Sequence, residues 1–400
     1  MRPFLAALLI VLAVPALAAD WPHYRGPDYN GVSAEADFDA TKMDVAWKAD
    51  VGIGASSVVV VGDRVITMGN VKDTDVVTCF NREDGKVLWT YKYPAKFESR
   101  MFDGGTAATP TIADGHVYIM CYDGQIHCIT LDKGRKVWTA HAIKDFRGRY
   151  GRWKYACSPL VIDGMVILDI GGDGNSTIAL DAKTGRKVWG QGDWQAGYAS
   201  VIPFDIAGRS GVIAMKAGDI VAHDRKTGRV LWTVPWSAQY EVNASSPVIV
   251  DNLLLVSNGY RPGKSGVFDL SSGKPRELWV NDRDMKTKMS TATVVDEVIY
   301  GVSSDTGGEV VALQLKTGKM LWAERGYGAG HLVAADGKLI VQGEDGKLSV
   351  LAASPAGEKV IESEKLFSKR NRSWVQPTIA NGFIFAKNNK GELVALKLGG

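Results

Sequence analysis

The densest chemistry in this chain lies in one short segment, Lys144-Asp-Phe-Arg147-Gly-Arg149-Tyr150-Gly-Arg152-Trp153-Lys154-Tyr155. It carries five basic residues, four aromatics and a single acid. Arginine forks grip carboxylate or phosphate at two points, and a Trp or Tyr face stacks on a ring or sugar. Two poorer segments have the same flavour: Lys369-Arg370-Asn-Arg372-Ser-Trp374 and Arg283-Asp-Met-Lys286-Thr-Lys288. Isolated candidates are Arg100, Trp194, Gln195, Tyr240, Glu241, Asn243, Arg325 and His331. The expectation is a cationic, aromatic-lined mouth built from Arg100, Arg147, Arg149, Arg152, Trp153, Tyr155, Trp194, Tyr240, Lys286, Lys288, His331, Arg370, Arg372 and Trp374. The competing reading is a solvated loop face whose arginine stems cover apolar surface.

Other chemistries find little support. The six histidines are scattered, and no nucleophile stands in a recognisable pairing with a base. C-x-x-C, C-x-x-C-H and H-E-x-x-H are absent. Asp169-Ile-Gly-Gly-Asp173-Gly-Asn175 offers oxygens at calcium-like spacing, but it lacks the closing bidentate Glu of an EF-hand and sits where a hairpin turn belongs, so no metal site is expected. A net charge of +3 over 400 residues gives no field suited to nucleic acid.

What positions these loops is a repeat. Segments of one pattern, clearest at Ala179-Leu-Asp-Ala-Lys-Thr-Gly185-Arg-Lys-Val-Trp189, close at Trp89, Trp138, Trp189, Trp232, Trp279, Trp322 and, in degraded form, Phe367, with Trp47 opening the series. Steps of 42, 49, 51, 43, 47 and 43 residues separate the tryptophans, which marks one supersecondary unit used many times. Within residues 105–138, Asp114-Gly115 and Asp123-Gly124 separate alternating apolar runs, a strong hairpin signal. The unit is therefore a four-stranded antiparallel meander, and copies set around an axis bury one another's faces. Seven units are complete. An eighth starts near Trp374 and ends after three strands, so Asp44-Val-Ala-Trp47 is expected to supply the fourth and close the ring. The expected fold is an all-β, eight-bladed propeller whose terminal strands pair, with a seven-bladed ring as the alternative.

The motif Ala-x-Asp-x-x-Thr-Gly-x-x-x-Trp, with close copies at Ala179–Trp189, Ala222–Trp232 and Ala312–Trp322, resembles the tryptophan-docking motif of pyrroloquinoline-quinone (PQQ) repeat propellers. The opening Trp21-Pro-His-Tyr-Arg25-Gly-Pro-Asp-Tyr-Asn-Gly31-Val-Ser33 is similar to that of exported bacterial PQQ-like propellers. The resemblance implies Trp47, Trp89, Trp138, Trp189, Trp232, Trp279 and Trp322 as docking residues. It leaves function open between BamB-type scaffolds and PQQ-dependent alcohol dehydrogenases. In the latter the resemblance implies a quinone with Ca²⁺, held by an Asn, a Glu and an Asp, and in many cases adjacent cysteines; here no two cysteines are adjacent.

Met1-Arg2-Pro3, an apolar run from Phe4 to Val14, and Ala16-Leu17-Ala18 read as a signal peptide cleaved after Ala18. The run is too short to span a bilayer. Residues 19–43 are then an N-terminal extension and 44–400 the propeller. Cys79 and Cys128 occupy the first motif position, where other copies have Ala, which favours buried small side chains over a redox pair; Cys121 and Cys157 complete the set. The sum is an exported, monomeric, non-catalytic scaffold without cofactor, binding an envelope protein or an anionic or glycan ligand. The alternatives are a PQQ/Ca²⁺ dehydrogenase and a carbohydrate- or peptide-binding propeller.

Overall fold

The computed structural model describes residues 19–99, 103–261, 263–305 and 307–399; the expected signal peptide and Arg100 lie outside these residues. Eight sheets surround one axis. The first seven blades occupy 59–94, 111–141, 160–191, 202–235, 248–281, 293–325 and 331–365. The eighth is composite: strands Thr378–Ala380, Phe383–Lys387 and Glu392–Gly399 are completed by Asp39–Asp50. That closing strand pairs antiparallel with the last one, Val45 opposite Leu396 and Trp47 opposite Ala395. Pairing the chain ends removes two free edges at once.

Burial follows strand position. In blade three, Met165–Asp169 and Thr177–Asp181 are apolar and buried almost throughout because neighbouring blades cover both their faces. The outer strand Lys187–Gln191 exposes Lys187 and Val188 and buries Trp189. The turns between first and second strands carry the left-handed pairs Asp114-Gly115, Asp163-Gly164, Asp336-Gly337 and Asn381-Gly382, as a two-residue hairpin with φ positive at both positions requires.

Blades are locked by the indoles. Trp47, Trp89, Trp138, Trp189, Trp279 and Trp322 each donate their Nε1–H to a carbonyl of the next blade's outer turn, for example Trp89 to Leu131 at 2.9 Å and Trp138 to Ala182 at 2.9 Å. The turn glycine lies flat on the ring. A Cβ on Gly134, Gly185 or Gly228 would fall 2.5–2.7 Å from the indole before it. Trp232 is the exception: Gly273, in the following turn, lies beside Arg209 instead.

Residues 19–35 form part of the ring. Trp21 is wholly buried and exchanges two 2.8 Å backbone hydrogen bonds with Val60 of blade one. Ile112 of blade two donates to the Pro22 carbonyl. Val32–Ser33 then pairs in parallel with the inner strand of blade seven, Val32 opposite Ala334. The extension thus crosses under the axis and plugs one end of the channel. No helix among the described residues is long and apolar enough to cross a membrane.

Candidate functional site

The long crossings from each outer strand to the next inner strand all reach the face opposite the plug. There they surround a funnel with an empty volume of about 1160 Å³ counted to its open mouth. Its lower wall is a belt of hydroxyls at the start of the inner strands. Ser57 N–H donates to Thr109 Oγ1, Thr109 to Ser158 Oγ, Ser158 to Ser200 Oγ, Ser200 to Ser246 Oγ, and Ser246 to Thr291 Oγ1, at 2.9–3.1 Å. Every hydroxyl in this relay accepts from its neighbour's backbone and keeps its own proton to donate.

The belt is interrupted at blades seven and eight, where His331 and Gln376 line the funnel. Arg25 fills the gap from below. Its guanidinium donates to the carbonyls of Leu332 (3.0 Å), Asn30 (2.9 Å) and Ala292 (2.6 Å), to Thr293 Oγ1 (2.5 Å) and to Gln376 Oε1 (3.0 Å). Burial lowers Arg25 to about 10, so it stays charged at neutral pH. Burial, and secondarily the Arg25 charge, depress His331 to about 3, so its imidazole is neutral. Because Arg25 takes Gln376 Oε1, the amide Nε2–H₂ has its orientation set. That nitrogen and His331 Nε2 are both buried and unpartnered.

Above the belt the wall is aromatic. Tyr24 rises from the plug, and Tyr122, Trp153, Tyr198, Tyr260 and Trp374 come from the blades. Four of these rings carry a cation: Lys154 over Tyr122 at 4.7 Å, Arg152 over Trp153 at 5.3 Å, Lys288 over Tyr260 at 5.7 Å and Arg372 over Trp374 at 4.8 Å. Acids neutralise three of the cations: Lys154 meets Glu98 at 2.6 Å, Lys288 meets Asp305 at 3.0 Å, and Arg372 lies 3.7 Å from Asp103. The sequence mixes bases and rings in one loop; the fold sorts them. Among the described residues lining the funnel there is no Lys, Arg, Asp or Glu.

The sequence-derived candidates therefore divide. Trp153, Tyr155, His331 and Trp374 line the funnel, and Tyr240 meets its rim through edge contacts with Trp153 and Tyr260. Arg152, Lys288 and Arg372 lie against the rim rings as described. Arg147, left-handed at φ 60°, caps the short helix Ala142–Phe146, and the exposed Arg149 donates its backbone N–H to Ile170. Trp194 packs edge-on against His223, away from the funnel wall. Lys286 is half-buried, its backbone bound to Ser303 Oγ, and Arg370 is exposed. Gln195 bonds Glu241, Arg325 pairs with Glu309, and buried Asn243 ties the carbonyls of Lys216 and Trp236 together. Sequence reasoning missed Tyr24, Arg25, Tyr122, Tyr198, Tyr260 and Gln376. One signal was available: Thr109-Pro, Ser158-Pro and Ser246-Pro share a place in the repeat where blade eight has Gln376-Pro.

Asp169, at the head of the calcium-like run, is fully buried in an ion pair with Lys216 Nζ at 2.7 Å and also accepts from Gly197 N–H. Among the described residues no three His, Cys, Asp or Glu cluster as metal ligands. Of the calcium-holding Asn, Glu and Asp that the PQQ resemblance implies, the described residues lining the funnel include Asn389 but no Glu or Asp. All four cysteines are buried and free.

The family model described as outer membrane protein assembly factor BamB matches residues 36–145 and 99–324, well over half of the chain. The chain belongs to this family. A BamB from Shewanella oneidensis is 23% identical over 288 residues, covering 70% of this chain and 67% of its own length. A quinohemoprotein alcohol dehydrogenase from Comamonas testosteroni is 24% identical over 274 residues, 62% of this chain but only 36% of the dehydrogenase. Among solved structures, BamB from Moraxella catarrhalis superposes with a TM-score of 0.66 at 18% identity, covering 89% of this chain and 97% of that one. The Comamonas testosteroni dehydrogenase superposes at 0.75 and 14%, covering 96% and 81%. At these identities the structural likeness shows the propeller fold that both share.

Proposed function

We propose that this chain is an exported, non-catalytic propeller that binds a partner in the cell envelope through the face bearing the funnel. One observation carries the reading: the funnel wall offers aromatic rings, hydroxyls and an amide, and its one imidazole is held neutral, so it is built for contact more than for proton transfer. The family description, an outer-membrane assembly factor, and the signal-peptide-like first 18 residues support the envelope as the place.

A photo-crosslinking residue at Tyr240 or Arg152, on the funnel face, is expected to give a discrete protein adduct in native envelope extract, whereas one at Asp336 on the opposite face gives none. In parallel, the full chain is incubated with PQQ and Ca²⁺ and assayed for dye reduction with ethanol or glucose. Dye reduction would overturn the reading, as would adducts formed equally from both faces.

A further inference from the structure

From the two unpartnered groups on the funnel floor, we infer that the funnel is a binding site for an uncharged sugar ring, such as the terminal residue of a neutral glycan. This deepens the reading above and rests on it only in taking the funnel as the contact face. Gln376 Nε2 and His331 Nε2 are buried and lack partners, and both residues line the cavity. Such groups are costly to leave unmade. Arg25 holds the Gln376 amide with its nitrogen available, so the floor presents a fixed donor. Ser158, Ser200 and Ser246 add hydroxyls that have each used a lone pair and still hold a proton. A ligand seated there must bring oxygens.

The walls set the rest of the ligand. Trp153 and Trp374 present large aromatic surfaces to the cavity. A pyranose offers apolar C–H faces to such rings and hydroxyls to the floor at once. A phenyl side chain would satisfy the walls but leave both floor nitrogens unpartnered. Charge separates the remaining rival, an acidic sugar or carboxylate. The buried Arg25 beneath the floor attracts an anion, but its Nη1 and Nη2 groups are spent on five protein acceptors, only its buried Nε–H is left unpartnered, and no cation lines the wall to replace the water a carboxylate would lose.

The test is a titration of the full chain, followed by calorimetry and tryptophan fluorescence, with D-glucose, D-galactose, N-acetylglucosamine and maltotriose. Glucuronate serves as the charged twin and phenylalanine amide as the aromatic rival. At least one neutral sugar is expected to bind and shift the tryptophan emission, with glucuronate at least tenfold weaker. Gln376→Glu keeps an acceptor for Arg25 and removes the donor; it is expected to weaken the sugar at least tenfold with unchanged melting temperature. Trp153→Ala should lose the fluorescence shift. The inference falls if no neutral sugar binds, if glucuronate or phenylalanine amide binds better, or if Gln376→Glu and His331→Ala both bind sugar like the parent. Adducts from Tyr240 without sugar binding would leave the envelope-partner reading standing and remove this one.

Discussion

The guanidinium of Arg25 and the side-chain amide of Gln376, 351 residues apart, meet at 3.0 Å. Arg25 comes from the plug and Gln376 from the inner edge of the last blade, so one contact joins the start of the described chain to its final sheet. Both side chains are almost entirely buried. Arg25→Met is expected to cost at least about 3 kcal/mol, because it strips donors from several buried acceptors. Arg25→Lys should fall between, since an ammonium cannot span the same fork. Urea unfolding of the two variants checks the order.

The indole lock predicts an unequal series. Trp189→Ala removes a buried ring, its 3.1 Å bond to the Arg225 carbonyl and its cover on Gly228. Such truncations cost about 3–5 kcal/mol. Trp232→Ala should cost less, because Gly273 of the next blade lies on Arg209 and not on this indole. Equal losses in thermal melts would contradict the glycine–indole account.

Acid should destabilise the ring in a defined window. Burial lowers His23, His127 and His223 to about 4 and His331 to about 3. Their folded pKa values lie below the unfolded value of about 6.5, so between these limits the unfolded chain binds more protons. Stability is complete above about pH 6.5 and falls as pH drops toward 4, by up to about 1.4 kcal/mol per pH unit for each histidine. In His223 the ring Nδ1–H donates to Gly228 O and Nε2 accepts from Thr177, so His223→Gln should flatten part of the slope. Denaturant midpoints at pH 7.5, 6 and 5 measure it.

The cysteines should be silent. Burial pushes Cys79 and Cys128 up to about 12 and Cys157 to about 11, and raises Cys121 as well. Thiolate, the reactive form, is then scarce at neutral pH. Ellman's reagent is expected to label none of the four in the native chain within an hour and all four in guanidinium. Rapid native labelling at any of them would refute the placement.

The fold was legible because its lock is repetitive chemistry. An indole that must lie on the next blade's glycine leaves Trp and Gly at matched spacing, as in Gly185 and Trp189, and Asp-Gly pairs mark the hairpins between. The composite blade could be read from a missing fourth strand. The funnel was legible only in part. Trp153 and Trp374 stood out beside their bases, but whether ring or base faces the axis depends on crossings that follow no period. Arg25 gave no local sign, since four of its five acceptors lie 267 or more residues away. Tyr122 and Tyr260 were hidden in turns that looked like ordinary hairpin ends.

The plug also fixes which way the molecule can stand. Asp20 accepts from Gly62 N–H and Asn381 at the hairpins remote from the mouth, and Leu398 near the other terminus bonds Gly382 on that same side. Both ends of the described residues therefore lie on the underside. A tether joined to either one holds the wheel like a goblet on its stem, bowl outward, and a chip or bead coupled through a terminal handle would offer the open bowl to whatever flows past.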